Sequence, residues 1–132
     1  MPPTGRYILD TNILIALLAG EPAALTEAGR AAATFIPTIA LGELYYGARK
    51  SGRPTENLEV IERLAASAAL LPCGPETARR YGEVKAELRA AGTPIPENDI
   101  WIAALALEHS LTLVTRDAHF AVVAGITAVP WR

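Results

Sequence analysis

The sequence predicts an α/β fold, a three-layer α/β/α sandwich around a central, mostly parallel sheet of four to five strands. Three observations predict it. Short β-like apolar runs alternate with helical stretches along the whole chain, the pattern of strands joined by crossover helices. The run Leu111 to Thr115 is continuous in its apolar and Thr content, as expected of a parallel strand covered on both faces. The 132 residues contain no internal repeat, low-complexity tract or linker, so residues 1–132 are expected to form one domain around one core.

Tyr7 to Leu9 reads as the first strand, and Asp10-Thr11-Asn12 after it as a turn able to cap a helix. Ile13 to Ala19 is helical and closed by Gly20. Pro22 suits the first position of a second helix, ending near Ala33. Thr34 to Pro37 is the second strand, with Thr38 capping a helix that runs to roughly Lys50. Ser51 to Pro54 breaks that helix, and Thr55 to Ser67 is helical again. Ala69 to Pro72 is the third strand. Gly74-Pro75 begins a long helix that stops at Gly92, a favourable residue just past a helix end. Thr93 to Glu97 is a turn with two prolines, and Pro96 opens a helix to about His109. Leu111 to Thr115 is the fourth strand and Thr127 to Val129 a short fifth.

Hydrophobic residues make up 51% and charged residues 20%, which excludes a disordered chain. No apolar run reaches the roughly 18 residues of a membrane helix, so no membrane partner is expected. The opening MPPTGRYILD lacks the basic and apolar regions of a secretion signal, and the cytoplasm is the expected location. Cys73 is the single cysteine; following Leu70 and Leu71, it reads as a buried core thiol and not a nucleophile. The net charge of −2 looks unfavourable for a nucleic-acid enzyme. Setting four acids aside as metal ligands leaves ten acids against twelve bases, so charge neither supports nor excludes RNA.

Asp occurs three times, at Asp10, Asp99 and Asp117, and each lies at an element boundary. Loops beyond the carboxyl ends of parallel strands are where open α/β sheets build their sites. For any one of these residues, helix capping or turn formation would be explanation enough. The surroundings of Asp99 argue otherwise. Ile100 to Leu107 is apolar around the whole helix, so Asp99 shares a buried face with Ile102 and Ala103. Glu43 has Ile39, Ala40, Tyr46 and Gly47 as helical neighbours, none of them charged. A carboxylate in such a place is costly unless something compensates it. Arg116 is next to Asp117 but points to the other side of an extended segment. Four ionised carboxylates about 5 Å apart would repel by roughly 3 kcal/mol per pair at an effective dielectric of about 20. Divalent cations relieve that repulsion, and all-oxygen ligands select Mg²⁺, Mn²⁺ or Ca²⁺ over zinc.

The ordered set of motifs resembles the PIN-domain ribonucleases, and specifically the VapC-type toxins of bacterial toxin–antitoxin pairs. The likeness spans nearly the whole chain. It rests on YILDTNILI, on IALGELYYGA with Glu43 at its centre, on PENDIWIAALALEHSLTLVTRDAHF, and on the closing Val129-Pro130-Trp131. The resemblance implies that Asp10, Glu43, Asp99 and Asp117 bind the metal, Mg²⁺ or Mn²⁺. It gives Thr115 the place of the family's hydroxyl and Asn12 that of the Asn after the first acid, and Thr11 joins them as a supporting residue. It further implies RNA hydrolysis by a metal-activated water, leaving 5′-phosphate and 3′-hydroxyl ends, with Asp10 and Asp99 holding the principal ion. A homodimer and an antitoxin protein are the implied partners, besides the RNA substrate.

Arg49, Lys50 and Arg53 form the densest basic group and, with Arg116, are the candidate RNA contacts, although a solvated helix end accounts better for the first three. Tyr45 and Tyr46 read as core and interface residues. His109 ends a helix, where a cation suits the dipole, and His119, two residues after Asp117, could touch RNA but reads more readily as a plain surface position. A receiver domain would need a Lys after a late strand, and a haloacid-dehalogenase phosphatase a second Asp at the position of Asn12. The remaining alternative is a PIN-like binding module whose acids hold a structural metal.

Overall fold

In the computed structural model, which describes residues 4–132, strands and helices alternate throughout. Strand β1 (Arg6–Leu9) leads through α1 (Thr11–Leu18) and α2 (Pro22–Arg30) to β2 (Ala33–Pro37). Helices α3 (Thr38–Arg49) and α4 (Pro54–Ser67) lead on to β3 (Ala69–Leu71). Helices α5 (Pro75–Ala91) and α6 (Glu97–His109) return the chain to β4 (Thr112–Val114). A 3-10 turn (Ala118–Val122) then precedes β5 (Ala128–Val129).

The strands make one sheet in the order β3-β2-β1-β4-β5, and every neighbouring pair is parallel. The expected sheet is therefore five-stranded and wholly parallel. Right-handed crossovers place α1 to α4 over one face and α5 and α6 over the other. Ile8, Leu113 and Val114 are fully enclosed between these layers. In α6, Ile100 and the five residues Ile102 to Ala106 are all buried, as the uninterrupted apolar run requires. Trp101 escapes that core by stacking on Tyr81 of α5, with ring centres 4.1 Å apart.

Three local expectations are corrected. Helix α2 stops at Arg30 because Ala33 is drawn into the sheet opposite Arg6. Pro37, not Thr38, stands at the cap of α3, and no side chain caps that helix. Cys73 is exposed, since β3 is the outermost strand and the loop beyond it has no second neighbour to cover it. Partial enclosure of its sulfur still pushes the thiol pKa up, with the Glu108 charge adding to the effect, which disfavours a nucleophilic thiolate. Tyr45 packs against the core, and Tyr46 is 67% exposed.

Candidate metal and active site

Strand order reverses beside β1. The chain first steps outward to β2 and β3, then crosses back to β4 on the other side of β1. Open α/β sheets leave a crevice at such a point, beyond the carboxyl ends of the strands. A cleft of about 590 Å³ opens there. Its walls include Asp10 from the end of β1, Glu43 from the middle of α3, Asp99 from the first turn of α6, and Asp117 from the loop after β4. The four acids singled out in the sequence thus face one space.

Asp10 is the best fixed of them, at 5% exposure. One carboxylate oxygen accepts the Thr11 N–H at 2.8 Å, which caps α1. The other accepts the Thr115 hydroxyl at 2.7 Å. The Thr115 oxygen in turn accepts the Asp117 N–H at 3.0 Å, so this buried hydroxyl joins the loops after β1 and β4. Register explains why these loops meet: Leu9 pairs with Val114, and the Asp10 N–H donates to the Val114 carbonyl at 3.0 Å. Asn12 works beside them, its side-chain oxygen accepting the Arg116 N–H at 3.3 Å.

Glu43 and Asp99 are half-buried, and both titrate above the ordinary carboxylate range. For Glu43 the main cause is burial, reinforced by the negative charges of Asp10 and Asp99. For Asp99 it is again burial, with Asp10 and Asp117 adding to it and the His119 contact opposing it. Asn98 donates weakly to Glu43 at 3.5 Å. Among the described residues, no Lys or Arg forms an ion pair with any of the four acids.

This donor set suits a hard divalent cation. It is rich in carboxylate oxygen and short of positive charge. The buried Thr11 hydroxyl lies beside Glu43 and works against the rise in its pKa.

His119 is where the sequence reading fails. It is no plain surface residue: Nε2 lies 2.5 Å from Asp99 and Nδ1 2.7 Å from Asp117. The 3-10 turn causes this, because Asp117 caps it by accepting the His119 N–H at 3.3 Å, which folds the ring back over the cleft. The Asp-x-His spacing was the available signal. Arg116 turns the opposite way. Its guanidinium binds both oxygens of Glu21, at 2.9 and 2.5 Å, and donates to the carbonyls of Pro130 and Trp131. Arg49, Lys50 and Arg53 lie at the far end of α3 and just beyond it. Lys50 sits 4.9 Å over the Tyr46 ring, and Arg53 pairs with Glu56.

Comparison with known proteins agrees with this architecture. Residues 7–126 match the PIN domain. The chain is 39% identical over 114 residues to Ribonuclease VapC2 of Haemophilus influenzae, covering 85% of this chain and 86% of that protein. It is 33% identical over 129 residues to the tRNA(fMet)-specific endonuclease VapC of Shigella flexneri, covering 96% and 98%. Its fold superposes with a TM-score of 0.90, at 26% identity and coverage of 96% and 99%, on a chain from the crystal structure of VapBC2 from Rickettsia felis bound to a DNA fragment from their promoter.

Proposed function

The chain belongs to the PIN-domain family and is the endoribonuclease toxin of a toxin–antitoxin pair; we propose that it cuts RNA with Mg²⁺ or Mn²⁺ held by Asp10, Glu43, Asp99 and Asp117. One observation carries the metal reading: four carboxylates share a cleft at the switch point of the sheet, with no Lys or Arg among the described residues that line it. When bound, the ion activates water and offsets charge on the phosphate.

The residues of the chain divide the remaining work. Asp10, pinned through both oxygens, and Asp99 hold the principal ion. Glu43 and Asp117 complete the set from opposite walls. Thr115 and Asn12 act one layer back, fixing the loops that carry Asp10 and Asp117. Arg49, Lys50 and Arg53 are available for phosphate contacts, whereas Arg116 is committed to the fold. The products carry 5′-phosphate and 3′-hydroxyl ends. We read residues 1–132 as a single PIN domain, consistent with a family match that leaves out only short terminal stretches. The protein acts in the cytoplasm as a homodimer and is held in check by its antitoxin. No helix among the described residues is long and apolar enough to cross a membrane.

The deciding experiment incubates the purified protein with total RNA and Mg²⁺ or Mn²⁺, then maps the cut ends. Cleavage is expected with either ion, and its loss with chelator, with Asp10→Ala and with Asp99→Ala. Equal cutting by the variants overturns the assignment of these acids, and undiminished cutting in chelator overturns the metal.

A further inference from the structure

Just past β4 the chain leaves the ladder, yet it must still aim Asp117 into the cleft. The Thr115 N–H donates to the Val129 carbonyl at 2.9 Å. The next two N–H groups bond side chains instead, that of Arg116 to Asn12 and that of Asp117 to Thr115. Asp117 itself is exposed, so its aim depends on how this short segment is held. Extended backbone alternates its side chains, and the segment uses both sides. Thr115 turns to Asp10 and Asp117 to the cleft, while Arg116 turns away.

Behind the cleft, Arg116 enters a socket. Its guanidinium takes both oxygens of Glu21, at 2.9 and 2.5 Å, and the Pro130 and Trp131 carbonyls at 3.3 and 2.8 Å. Glu21 belongs to the loop between α1 and α2, and the two carbonyls to residues that follow β5, so one side chain ties three segments together. Trp131 holds its place at a cost. Its φ of +47° lies in the left-handed region that a residue with a Cβ seldom adopts. The buried indole, edge-on to Tyr7 with ring centres 5.1 Å apart, keeps it there together with the bond from Arg116. Strain of this kind persists only where the surroundings over-determine the position. A planar fork suits such a socket, whereas a lysine offers a single point charge.

We propose that Arg116 is a positioning residue for Asp117, acting from behind the cleft through the socket made by Glu21 and the carbonyls of Pro130 and Trp131. This inference rests on the metal-site reading above, since the ion is what Asp117 is aimed at. Among the described residues Arg116 pairs with Glu21 and with none of the four acids, so it acts through the backbone on which Asp117 stands. Loosening the socket lets that backbone wander, and only the fraction with Asp117 in place is competent to bind the ion. Metal affinity should therefore fall while affinity for RNA stays the same.

The test uses the full chain as wild type, Arg116→Lys, Glu21→Gln and Thr77→Val. Mn²⁺ affinity is measured by calorimetry without RNA, and kcat and KM on a labelled transcript that the wild type cleaves. Thr77 supplies a control for stability alone. Fully buried near the end of α6 opposite Asp99, it donates to Glu108 and accepts the Gly74 N–H at 2.9 Å, away from the socket. Arg116→Lys and Glu21→Gln should bind Mn²⁺ about three- to tenfold more weakly, less than the about 10–100-fold of a direct outer partner. Their kcat should fall with KM unchanged, and Thr77→Val should melt lower with its Mn²⁺ affinity intact. A raised KM with unchanged Mn²⁺ affinity would make Arg116 an RNA contact and overturn the positioning role. Equal weakening in Thr77→Val, or unchanged affinity in both socket variants, would overturn it as well. Absence of Mn²⁺ binding by the wild type would instead overturn the metal reading beneath it. Glu21→Gln keeps Arg116 and an acceptor for it, so a folding defect in Arg116→Lys leaves the inference open to refutation.

Discussion

Glu97 and Asp99 stand two residues apart on the first turn of α6, and their surroundings could hardly differ more. Glu97 is exposed, yet Lys85 and Tyr81 both donate to its carboxylate and hold its pKa below the ordinary range. Asp99 is half-buried, has no Lys or Arg, and is pushed above that range by burial and by Asp10 and Asp117. The same contrast recurs at Arg116 and Asp117, adjacent residues of which one spends its charge on Glu21 and the other faces the cleft. The chain has cations to give and gives them elsewhere. The lack of a paired Lys or Arg at these acids, among the described residues, is therefore a local property of the site and no consequence of overall composition.

Removing one acid tests that contrast most severely. Asp99→Asn should lower RNA cleavage by more than about a hundredfold, since even an outer partner of a metal ligand is worth about 10–100-fold. The metal-free variant should melt no lower than the wild type, because repulsion by Asp10 and Asp117 leaves with the charge. An active Asn variant, or one that unfolds, would break the distinction between site and scaffold. Next in size is Thr115→Val, which strands a buried Asp10 oxygen and the Asp117 N–H. A loss of about 1–3 kcal/mol in urea unfolding is expected, with reduced cleavage. An unchanged urea midpoint would deny Thr115 its joining role.

Acidity separates the two kinds of carboxylate. Folded, metal-free protein takes up protons at Glu43 and Asp99 before the unfolded chain does, because their folded pKa values are raised. Stability should thus increase as pH falls from neutral through those raised values, and stop increasing below the ordinary carboxylate range. Glu21 and Glu97 have lowered values, so their contribution is complete above the ordinary range and is lost only in stronger acid. Denaturant melts across pH should show a mildly acidic optimum for the metal-free protein, and Mn²⁺ should erase the decline toward neutrality. A metal-free profile flat over that interval would contradict the raised values. Glu97→Gln makes the smallest change: an exposed pair contributes little, and cleavage and melting should stay close to wild type.

Much of this was legible beforehand, for physical reasons that mark its limits. Asp10 and Asp117 end strands that read clearly as apolar runs, and the apolar neighbours of Asp99 and Glu43 reveal their burial without any knowledge of the fold. Cys73 was misplaced because the same local signal cannot tell an edge strand from an inner one, a matter settled by pairing with Phe35 to Pro37 far earlier in the chain. His119 was missed because AHFAV has no helical period, and only a cap by Asp117 turns it into an ordered turn.

The placement of β4 against β1 has a consequence in time. Tyr7 pairs with Thr112, and the Thr115 hydroxyl reaches Asp10 across a separation of 105 residues. A chain still emerging from the ribosome carries Asp10 and Glu43 early but has nothing to set them against. Contacts so distant along the chain form late, after the loop between them has closed. A growing polypeptide therefore carries Asp10 without the Thr115 hydroxyl that fixes it until nearly the whole chain has been made.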